Sequence, residues 1–274
     1  MQAARIGTTV LHYRDSEPRG DSDTPAGKAA ATTLVFANSL GTDLRVWDPL
    51  LPHLPQGLRV LRYDKRGHGL SDCPPGPYGI DELVGELSGL LDHLGVRRAV
   101  VVGLSVGGMI AQGLAAARPD IVQAAVFCCT GHVIGSAEMW AQRIEALREV
   151  GISGMADNVM ERWFSPAFRA DRPADLALWR NMLTRTPEAG YVATCAALRD
   201  ADLTAGTSAL RIPVLCVAGS NDGATPPALV KSLADLVPGA RYALLDGPGH
   251  IPCVEAPAAL GAEITRFLKE NDLA

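Results

Sequence analysis

Lysine is scarce in this 274-residue chain, and several patterns typical of particular functions are missing. The four lysines, Lys28, Lys65, Lys231 and Lys269, form no basic run, and the net charge is −5. A nucleic-acid partner is therefore not expected. No apolar run reaches the roughly 18 residues that a membrane helix needs, and the first residues lack the apolar core of a signal peptide. These absences predict a cytoplasmic protein that binds neither nucleic acid nor a membrane.

Paired-cysteine motifs are also missing. The chain has six cysteines, and none of them belongs to a C-x-x-C pair. Such pairs are typical of zinc sites and redox motifs, and a disulfide framework is typical of small secreted domains. The cysteine spacing therefore favours free thiols in a reducing compartment, and it predicts no metal site.

What the chain does contain is an alternation of short β-branched runs with amphipathic helical patterns. This order predicts a mostly parallel sheet of about eight strands, with an early hairpin, covered by helices. Strands are predicted at 8–14, 32–37, 58–63, 98–104, 123–129, 213–219 and 240–246. Helices are predicted at 81–95, 106–119, 227–238 and 256–270. The polar stretch 14–30, rich in glycine and proline, is predicted to be a mobile loop without catalytic residues.

The alternation stops between about residues 131 and 206. This segment has amphipathic helical patterns but no convincing strand, and it holds three of the four tryptophans. An all-helical insertion between two core strands indicates a cap over one edge of the sheet. We therefore assign residues 1–130 and 206–274 to an α/β core and residues 131–205 to a helical cap.

A glycine-flanked serine stands where one strand meets a helix, in the stretch VVVGLSVGGMIAQ (100–112). Gly103, Ser105 and Gly107 form a G-x-S-x-G motif, which fits the turn known as the nucleophile elbow. This turn requires positive φ at the serine, and a side chain at either glycine would collide with neighbouring backbone. Phosphate binding is disfavoured because the stretch fits neither G-K-[ST] nor G-x-G-x-x-G. An incidental serine in a glycine-rich turn is the alternative.

A serine hydroxyl becomes an effective nucleophile when a base accepts its proton and an acid orients that base. In chains with this elbow the acid and then the histidine follow the serine. Asp222 follows the strand 213–219, and His250 lies in the loop after the strand 240–246. Each could be an ordinary loop residue when taken alone. Three signals in the required order predict a triad of Ser105, Asp222 and His250.

The sequence also offers another acid and base and a place for an oxyanion hole. Asp64 and His68 lie in a turn-rich loop after a strand, but they rank lower because they precede the serine. An oxyanion hole needs two backbone N–H groups, one after the nucleophile and one from the loop after strand 32–37. The amides of Val106 and Leu40 occupy these places.

Together these motifs resemble the α/β-hydrolase superfamily over nearly the whole chain. More narrowly, the sequence resembles the bacterial 3-oxoadipate enol-lactonases, most clearly in NSLGTDLRVWD (38–48) and GYVATCAALRDAD (190–202). This resemblance implies an α/β-hydrolase fold and hydrolysis of 3-oxoadipate enol-lactone to 3-oxoadipate in the β-ketoadipate pathway of aromatic degradation. It implies the same triad and oxyanion amides, without a metal or organic cofactor. Dehalogenases and epoxide hydrolases of this fold are excluded because they place an aspartate at the elbow.

The implied substrate is a small lactone that carries a carboxylate, which calls for a cation or several N–H donors. The segment 131–205 contains eight arginines, no lysine and ten acidic residues, so one well-placed arginine is expected rather than a broad positive surface. The candidate substrate-binding residues are Arg45 near the oxyanion loop, Arg143, Arg162 and Arg180 in the cap, and Trp140 and Trp163 as apolar walls. For each of them, a surface salt bridge or core packing is the alternative.

Other functions remain open at this point. A general carboxylesterase or a carbon–carbon bond hydrolase would use the same triad, and its rate on p-nitrophenyl acetate would distinguish it from a lactonase. A ligand receptor of this fold would keep the triad and bind a partner without turnover. The sequence leaves the oligomeric state undetermined.

Overall fold

The computed structural model describes residues 1–16 and 32–274, so most of the predicted loop 14–30 lies outside the described residues. The described strands form one eight-stranded sheet in the order β1-β2-β4-β3-β5-β6-β7-β8. They are β1 Gln2–Ile6, β2 Thr9–Ser16, β3 Thr33–Ala37, β4 Arg59–Tyr63, β5 Ala99–Leu104, β6 Val122–Cys128, β7 Val214–Gly219 and β8 Arg241–Leu245. The pairs β1–β2 and β2–β4 are antiparallel, and the others are parallel. The prediction of a mostly parallel sheet of about eight strands is confirmed.

The central strands are buried on both faces. Every residue of β3, β5 and β7 is buried. Parallel strands covered on both sides carry continuous apolar runs of β-branched residues rather than an alternating pattern. Such runs are visible in the sequence, which is why the strands lie close to their predicted bounds.

Four helices cover the faces of this sheet where the sequence predicts them. They are α1 Ile80–His93, α2 Val106–Ala117, α8 Pro227–Leu236 and α10 Pro257–Glu270. Proline is the first residue of both α8 and α10, where its missing N–H costs nothing. Beyond the end of α1, Gly95 adopts φ +64, the left-handed conformation that terminates many helices.

The chain between β6 and β7 is helical. It contains α3 Ala137–Trp163, α4 Pro166–Asp171, α5 Pro173–Thr184, α6 Glu188–Asp200 and α7 Thr204–Ser208. Gly151 interrupts α3 with φ 66 and ψ 174, so this element consists of two helical parts joined at a kink. These helices agree with the predicted helical content, whereas the division into a core and a cap at residues 131 and 205 stays a prediction.

Backbone hydrogen bonds join the end of α3 to the loop after β8. The N–H of His250 donates to the carbonyl oxygen of Trp163 at 2.8 Å. The carboxylate of Glu255, in the short helix α9 Pro252–Glu255, accepts from the N–H groups of Gly249 at 2.8 Å and Ser165 at 3.1 Å. The inserted helices therefore fix the position of the loop that carries His250.

Two structural findings concern the cysteines and the possibility of a membrane helix. All six cysteines are free thiols, and only Cys73 is exposed. In the part of the chain that the structure describes, no helix is both long enough and apolar enough to cross a membrane.

Candidate active site

Ser105 occupies the sharp turn between β5 and α2. Its backbone has φ 57 and ψ −121, which confirms the positive φ expected from the motif. A Cβ atom at Gly103 would lie 2.2 Å from the carbonyl oxygen of Gly107, and one at Gly107 would lie 2.0 Å from that of Ala37. Both distances are shorter than any real contact. Glycine at these two positions therefore permits the turn that brings the serine to the end of the strand.

Asp222 and His250 form a buried pair. The Nδ1 atom of His250 lies 2.9 Å from Oδ2 of Asp222, and the two side chains are 2% and 0% exposed. Asp222 is the more constrained of the two because its Oδ1 atom accepts from the N–H groups of Ala224 and Thr225, at 2.7 and 2.8 Å. The hydroxyl of Thr225 donates to Oδ2 at 2.7 Å. These donors fix the carboxylate, which in turn orients the imidazole.

The surroundings of Asp222 keep it ionised. Burial by itself raises the pKa of a carboxyl group, because it removes water from the charged form. The charge and hydrogen bond of His250 and the two donors of Thr225 outweigh that effect, so the pKa of Asp222 lies below its ordinary value. A charged carboxylate beside Nδ1 favours an imidazole whose Nδ1 carries a proton and whose Nε2 can accept one.

Ser105 and His250 line one cavity at the carboxyl ends of the parallel strands, where ligands of such sheets bind. Ser105 is 8% exposed, and among the described residues its hydroxyl makes no hydrogen bond. Most of the other cavity residues come from the loop after β3 and from the segment between β6 and β7, and they include Ser39, Leu40, Trp140, Arg143, Arg162, Trp163 and Tyr191. Ala224 and Thr225 come from the loop after β7. The structure therefore brings Ser105 and His250 to the same cavity.

The two amides predicted for an oxyanion hole have the required freedom. Leu40 lines the cavity, and Val106 is the first residue of α2. Within residues 1–16 and 32–274, neither N–H donates to another group of the chain. Buried N–H groups without a partner are uncommon, so each is available to a ligand atom. Their role as an oxyanion hole stays a prediction.

The alternative acid and base, Asp64 and His68, do not pair with each other. Asp64 accepts from Nδ1 of His12 at 2.8 Å and from the N–H of Leu44 at 2.7 Å. His68 is fully buried, and its Nε2 accepts from the N–H of Gly41 at 2.9 Å. Burial lowers the pKa of His68 well below its ordinary value, so this ring stays neutral. Both residues support the loop that follows β3.

Lys65 also contacts the loop that follows β3. Its side chain is fully buried, and Nζ donates to the carbonyl oxygen of Ser39 at 2.6 Å. It lies farther, at 3.4 Å, from the carbonyl oxygen of Asn38. With both carbonyls directed at the ammonium group, the following N–H of Leu40 is left without a partner in the described chain.

The candidate substrate-binding residues separate into two groups. Trp140, Arg143, Arg162 and Trp163 line the cavity with Ser105. Arg45 does not line it, because its guanidinium pairs with Asp43 and its side chain is 63% exposed. Arg180 pairs with Asp157 on the surface and is likewise absent from the cavity wall. The structure thus separates Arg45 and Arg180 from the triad residues.

A possible metal-ligand set includes two residues of the predicted triad. Among the described residues, the ligand atoms of Cys129, Asp222 and His250 lie within 4.8 Å of one another. Asp222 and His250 already bond to each other, however. Burial raises the pKa of the Cys129 thiol well above its ordinary value, which disfavours the thiolate that binds metals. The set therefore fits a metal ion poorly.

Sequence reasoning missed three residues of this site. Thr225 lies three residues after Asp222 and has the appearance of an ordinary turn residue. Tyr191 belongs to the stretch that carries the family resemblance, but nothing in its spacing places it in the cavity. Lys65 lies next to Asp64, and a lysine is expected at the surface unless it has buried partners. The role of Thr225 depends on the geometry of a local turn. The roles of Tyr191 and Lys65 depend on contacts between segments that are distant in sequence.

Comparison with known proteins identifies related chains of similar length. The alpha/beta hydrolase fold family matches residues 32–257. The chain is 33% identical to 3-oxoadipate enol-lactonase 2 of Acinetobacter baylyi, over 95% of this chain and 98% of that protein. It is 30% identical to 3-oxoadipate enol-lactonase 1 of the same organism, over 89% and 91%. The crystal structure of the enol-lactonase from Burkholderia xenovorans has a TM-score of 0.91 and 38% identity, covering 98% of this chain and 100% of that one. The resemblance predicted from the motifs is confirmed.

Proposed function

The chain belongs to the alpha/beta hydrolase fold family, and from this premise we propose that it hydrolyses 3-oxoadipate enol-lactone to 3-oxoadipate with Ser105 as nucleophile. The observation that carries the proposal is one cavity lined by the elbow serine and by a histidine whose Nδ1 is held by a buried carboxylate. The enol-lactonases of Acinetobacter baylyi and Burkholderia xenovorans, which match this chain along nearly their whole lengths, support the substrate class. The reaction belongs to the β-ketoadipate route of aromatic degradation.

In the first half of the reaction, Nε2 of His250 takes the proton of Ser105 as the serine oxygen attacks the lactone carbonyl. The negative oxygen of the tetrahedral intermediate is placed against the free N–H groups of Leu40 and Val106, and one such donor is typically worth about 3–4 kcal/mol. Asp222 stabilises the imidazolium that forms. When the ring C–O bond breaks, an acyl-enzyme is left and the enol oxygen takes up the proton from His250.

In the second half of the reaction, water takes the place of the serine as the nucleophile. His250 accepts a proton from water, the hydroxide attacks the acyl carbon, and the serine oxygen leaves with the proton that His250 returns. The enol leaving group stays covalently attached to the acyl chain and could close the ring again. Its conversion to the ketone removes that nucleophile, so the products do not revert to lactone.

The proposal is tested by turnover of the enol lactone on purified protein and on the Ser105→Ala variant. We expect the variant to lose about 10³–10⁶-fold in kcat, the range found when a serine nucleophile is removed. Ser232→Ala is the matched control, because Ser232 is an exposed serine whose hydroxyl bonds only to the carbonyl of Leu229 in α8. Full lactone hydrolysis by Ser105→Ala would refute the proposal.

Kinetics of the same purified protein on two substrates distinguishes a lactonase from a general esterase. We expect a higher kcat/KM on the enol lactone than on p-nitrophenyl acetate. A higher kcat/KM on the acetate ester, abolished by Ser105→Ala, would show that the triad is right and the proposed substrate wrong.

A further inference from the structure

Two arginines of the cavity have no acidic partner. Arg143 and Arg162 line the cavity with Ser105 and His250, and within the described residues neither forms an ion pair. Most of the other arginines in the segment 131–205 do form one. These pairs are Arg148–Glu145, Arg169–Glu161, Arg172–Asp175, Arg180–Asp157 and Arg199–Asp200. Among residues 1–16 and 32–274, the cavity thus holds two guanidinium groups that no carboxylate pairs with.

Arg143 is held in a fixed position. One of its terminal nitrogens donates to the hydroxyl of Tyr191 at 2.7 Å. Its guanidinium carbon lies 5.7 Å from the ring centre of Trp140 and 5.8 Å from that of Tyr191, within the range of cation–π attraction. The Nε atom of Arg143 is buried without a partner. A fixed guanidinium that lines the cavity, and that no described carboxylate neutralises, is suited to bind an anionic ligand.

Arg162 adds a second charge close to the first. Burial and the positive charge of Arg143 lower the pKa of Arg162 from its ordinary value. Both side chains line the same cavity, so their positive charges repel each other when no anion is present, which costs free energy. An anion between them removes that cost, because each guanidinium gains an opposite charge and hydrogen bonds.

We propose that Arg143 and Arg162 form an anion subsite that binds the carboxylate of the substrate, so that Ser105 acts on small esters or lactones carrying a carboxylate. This inference rests on the proposed hydrolysis by Ser105, and it makes the anionic group the main determinant of specificity. Arg143 is the rigid member of the pair, and Tyr191 is a positioning residue that orients it. Arg162, whose side chain is more exposed, closes the subsite on the solvent side.

The first test compares a charged and a neutral ester that are otherwise matched, the p-nitrophenyl monoester of succinate and p-nitrophenyl butyrate. Loss of a charge-assisted contact should reduce kcat/KM on the succinate ester about 100-fold in Arg143→Met and about 10-fold in the more exposed Arg162→Met, mostly through KM. The butyrate ester makes no such contact, so in each variant its loss in kcat/KM should be several-fold smaller than the loss on the succinate ester. Arg180→Met, which removes a surface arginine paired with Asp157, is the control and should alter neither.

Equal losses on both esters in Arg143→Met and Arg162→Met would overturn the proposal, because they would indicate a structural role for these arginines. A higher kcat/KM of the unmodified protein on the butyrate ester than on the succinate ester would also overturn the proposal. Arg162→Met keeps the test informative if Arg143→Met fails to fold.

The second test measures binding without turnover. Adipate, a six-carbon dicarboxylate, is titrated by calorimetry into Ser105→Ala and into the double variants that add Arg143→Met or Arg180→Met. We expect about 100-fold weaker adipate binding with Arg143→Met and unchanged binding with Arg180→Met. Unchanged affinity in both, or no binding to Ser105→Ala, contradicts the subsite even if the lactone is hydrolysed. Weakened binding with Arg143→Met supports the subsite even if the lactone proves not to be a substrate.

Discussion

The hydrogen bonds around Asp222 hold its buried carboxylate in one position beside His250. A buried carboxylate is costly unless its oxygens have donors. Here Ala224 and Thr225 supply three donors besides His250, and the pKa of Asp222 falls below its ordinary value although burial opposes this. The result is a fixed negative charge beside Nδ1 of His250, which favours the tautomer that can accept the serine proton.

Replacing Asp222 by asparagine tests this role. The variant keeps the shape of the side chain but loses the charge and offers an N–H₂ group to Nδ1, so the imidazole is expected to adopt the wrong tautomer. We expect kcat to fall about 10³–10⁴-fold with little change in KM, as when the acid of a serine triad is replaced by its amide. Steady-state kinetics on the enol lactone measures both constants.

Asp246→Asn is the matched control because Asp246 is an exposed aspartate in the loop before His250, with only a weak contact of 3.4 Å to Ser220. Its kcat should equal that of the unmodified protein. If Asp222→Asn kept its activity, the hydrogen bond to His250 would have no part in catalysis.

At the scale of elements, helix α6 approaches the loop after β4 through two glycines. A Cβ atom at Gly190, in α6, would lie 2.3 Å from the carbonyl oxygen of Gly67. The close approach lets Tyr191, the next residue, reach the cavity, where its hydroxyl accepts the 2.7 Å hydrogen bond from Arg143. A helix normally disfavours glycine, so this contact is obtained at some cost in helix stability.

We therefore expect Gly190→Ala and Gly85→Ala to have opposite effects on the free energy of unfolding. Gly190→Ala gains helix propensity but forces backbone against backbone, and it should lower the free energy of unfolding by about 1–3 kcal/mol. Gly85 lies in α1, is exposed and has no atom within 4 Å of an added Cβ, so Gly85→Ala should raise that free energy by about 0.5–1 kcal/mol. Urea unfolding measures both. Stabilisation by both substitutions would show that the contact at Gly190 relaxes easily.

At the scale of the whole molecule, the buried Lys65 couples folding to pH. Burial lowers the pKa of Lys65 from 10.5 to about 7, with partial opposition from Asp64 and Asp43. Between these two pH values the unfolded chain binds a proton that the folded protein has released. Raising the pH through this range therefore favours the folded state. Below about pH 7 both states carry the proton, and the folded protein bears the full cost of a buried charge.

Lys65→Met should remove this dependence. The free energy of unfolding of the unmodified protein minus that of Lys65→Met should increase between pH 7 and pH 10, with a slope of up to about 1.4 kcal/mol per pH unit for one proton. Urea unfolding at a series of pH values gives the difference. Lys231→Met is the matched control for the loss of a lysine side chain, because Lys231 is exposed and pairs with Asp235 on α8. A constant difference for Lys65→Met would mean that Lys65 keeps its ordinary pKa in the folded protein.

The sequence by itself determined the sheet, the order of its elements and the elbow serine, because these depend on local signals. Buried parallel strands require continuous apolar runs, and the turn at Ser105 requires glycine at positions 103 and 107. Asp222 and His250 were predictable for the same reason, since the end of a strand is readable from its residues. Their catalytic roles and those of the amides of Leu40 and Val106 stay predictions that the kinetic tests address.

Only the tertiary structure decided which arginines face the cavity. No local pattern distinguishes the four candidate arginines, yet Arg45 and Arg180 pair with acidic residues at the surface. Arg143 and Arg162 line the cavity, and neither forms an ion pair within the described part of the chain. The difference arises from how α3 and α6 pack together and over the strand ends, which depends on contacts between distant segments. Charge pairing and burial are properties of such contacts, and no local pattern specifies them.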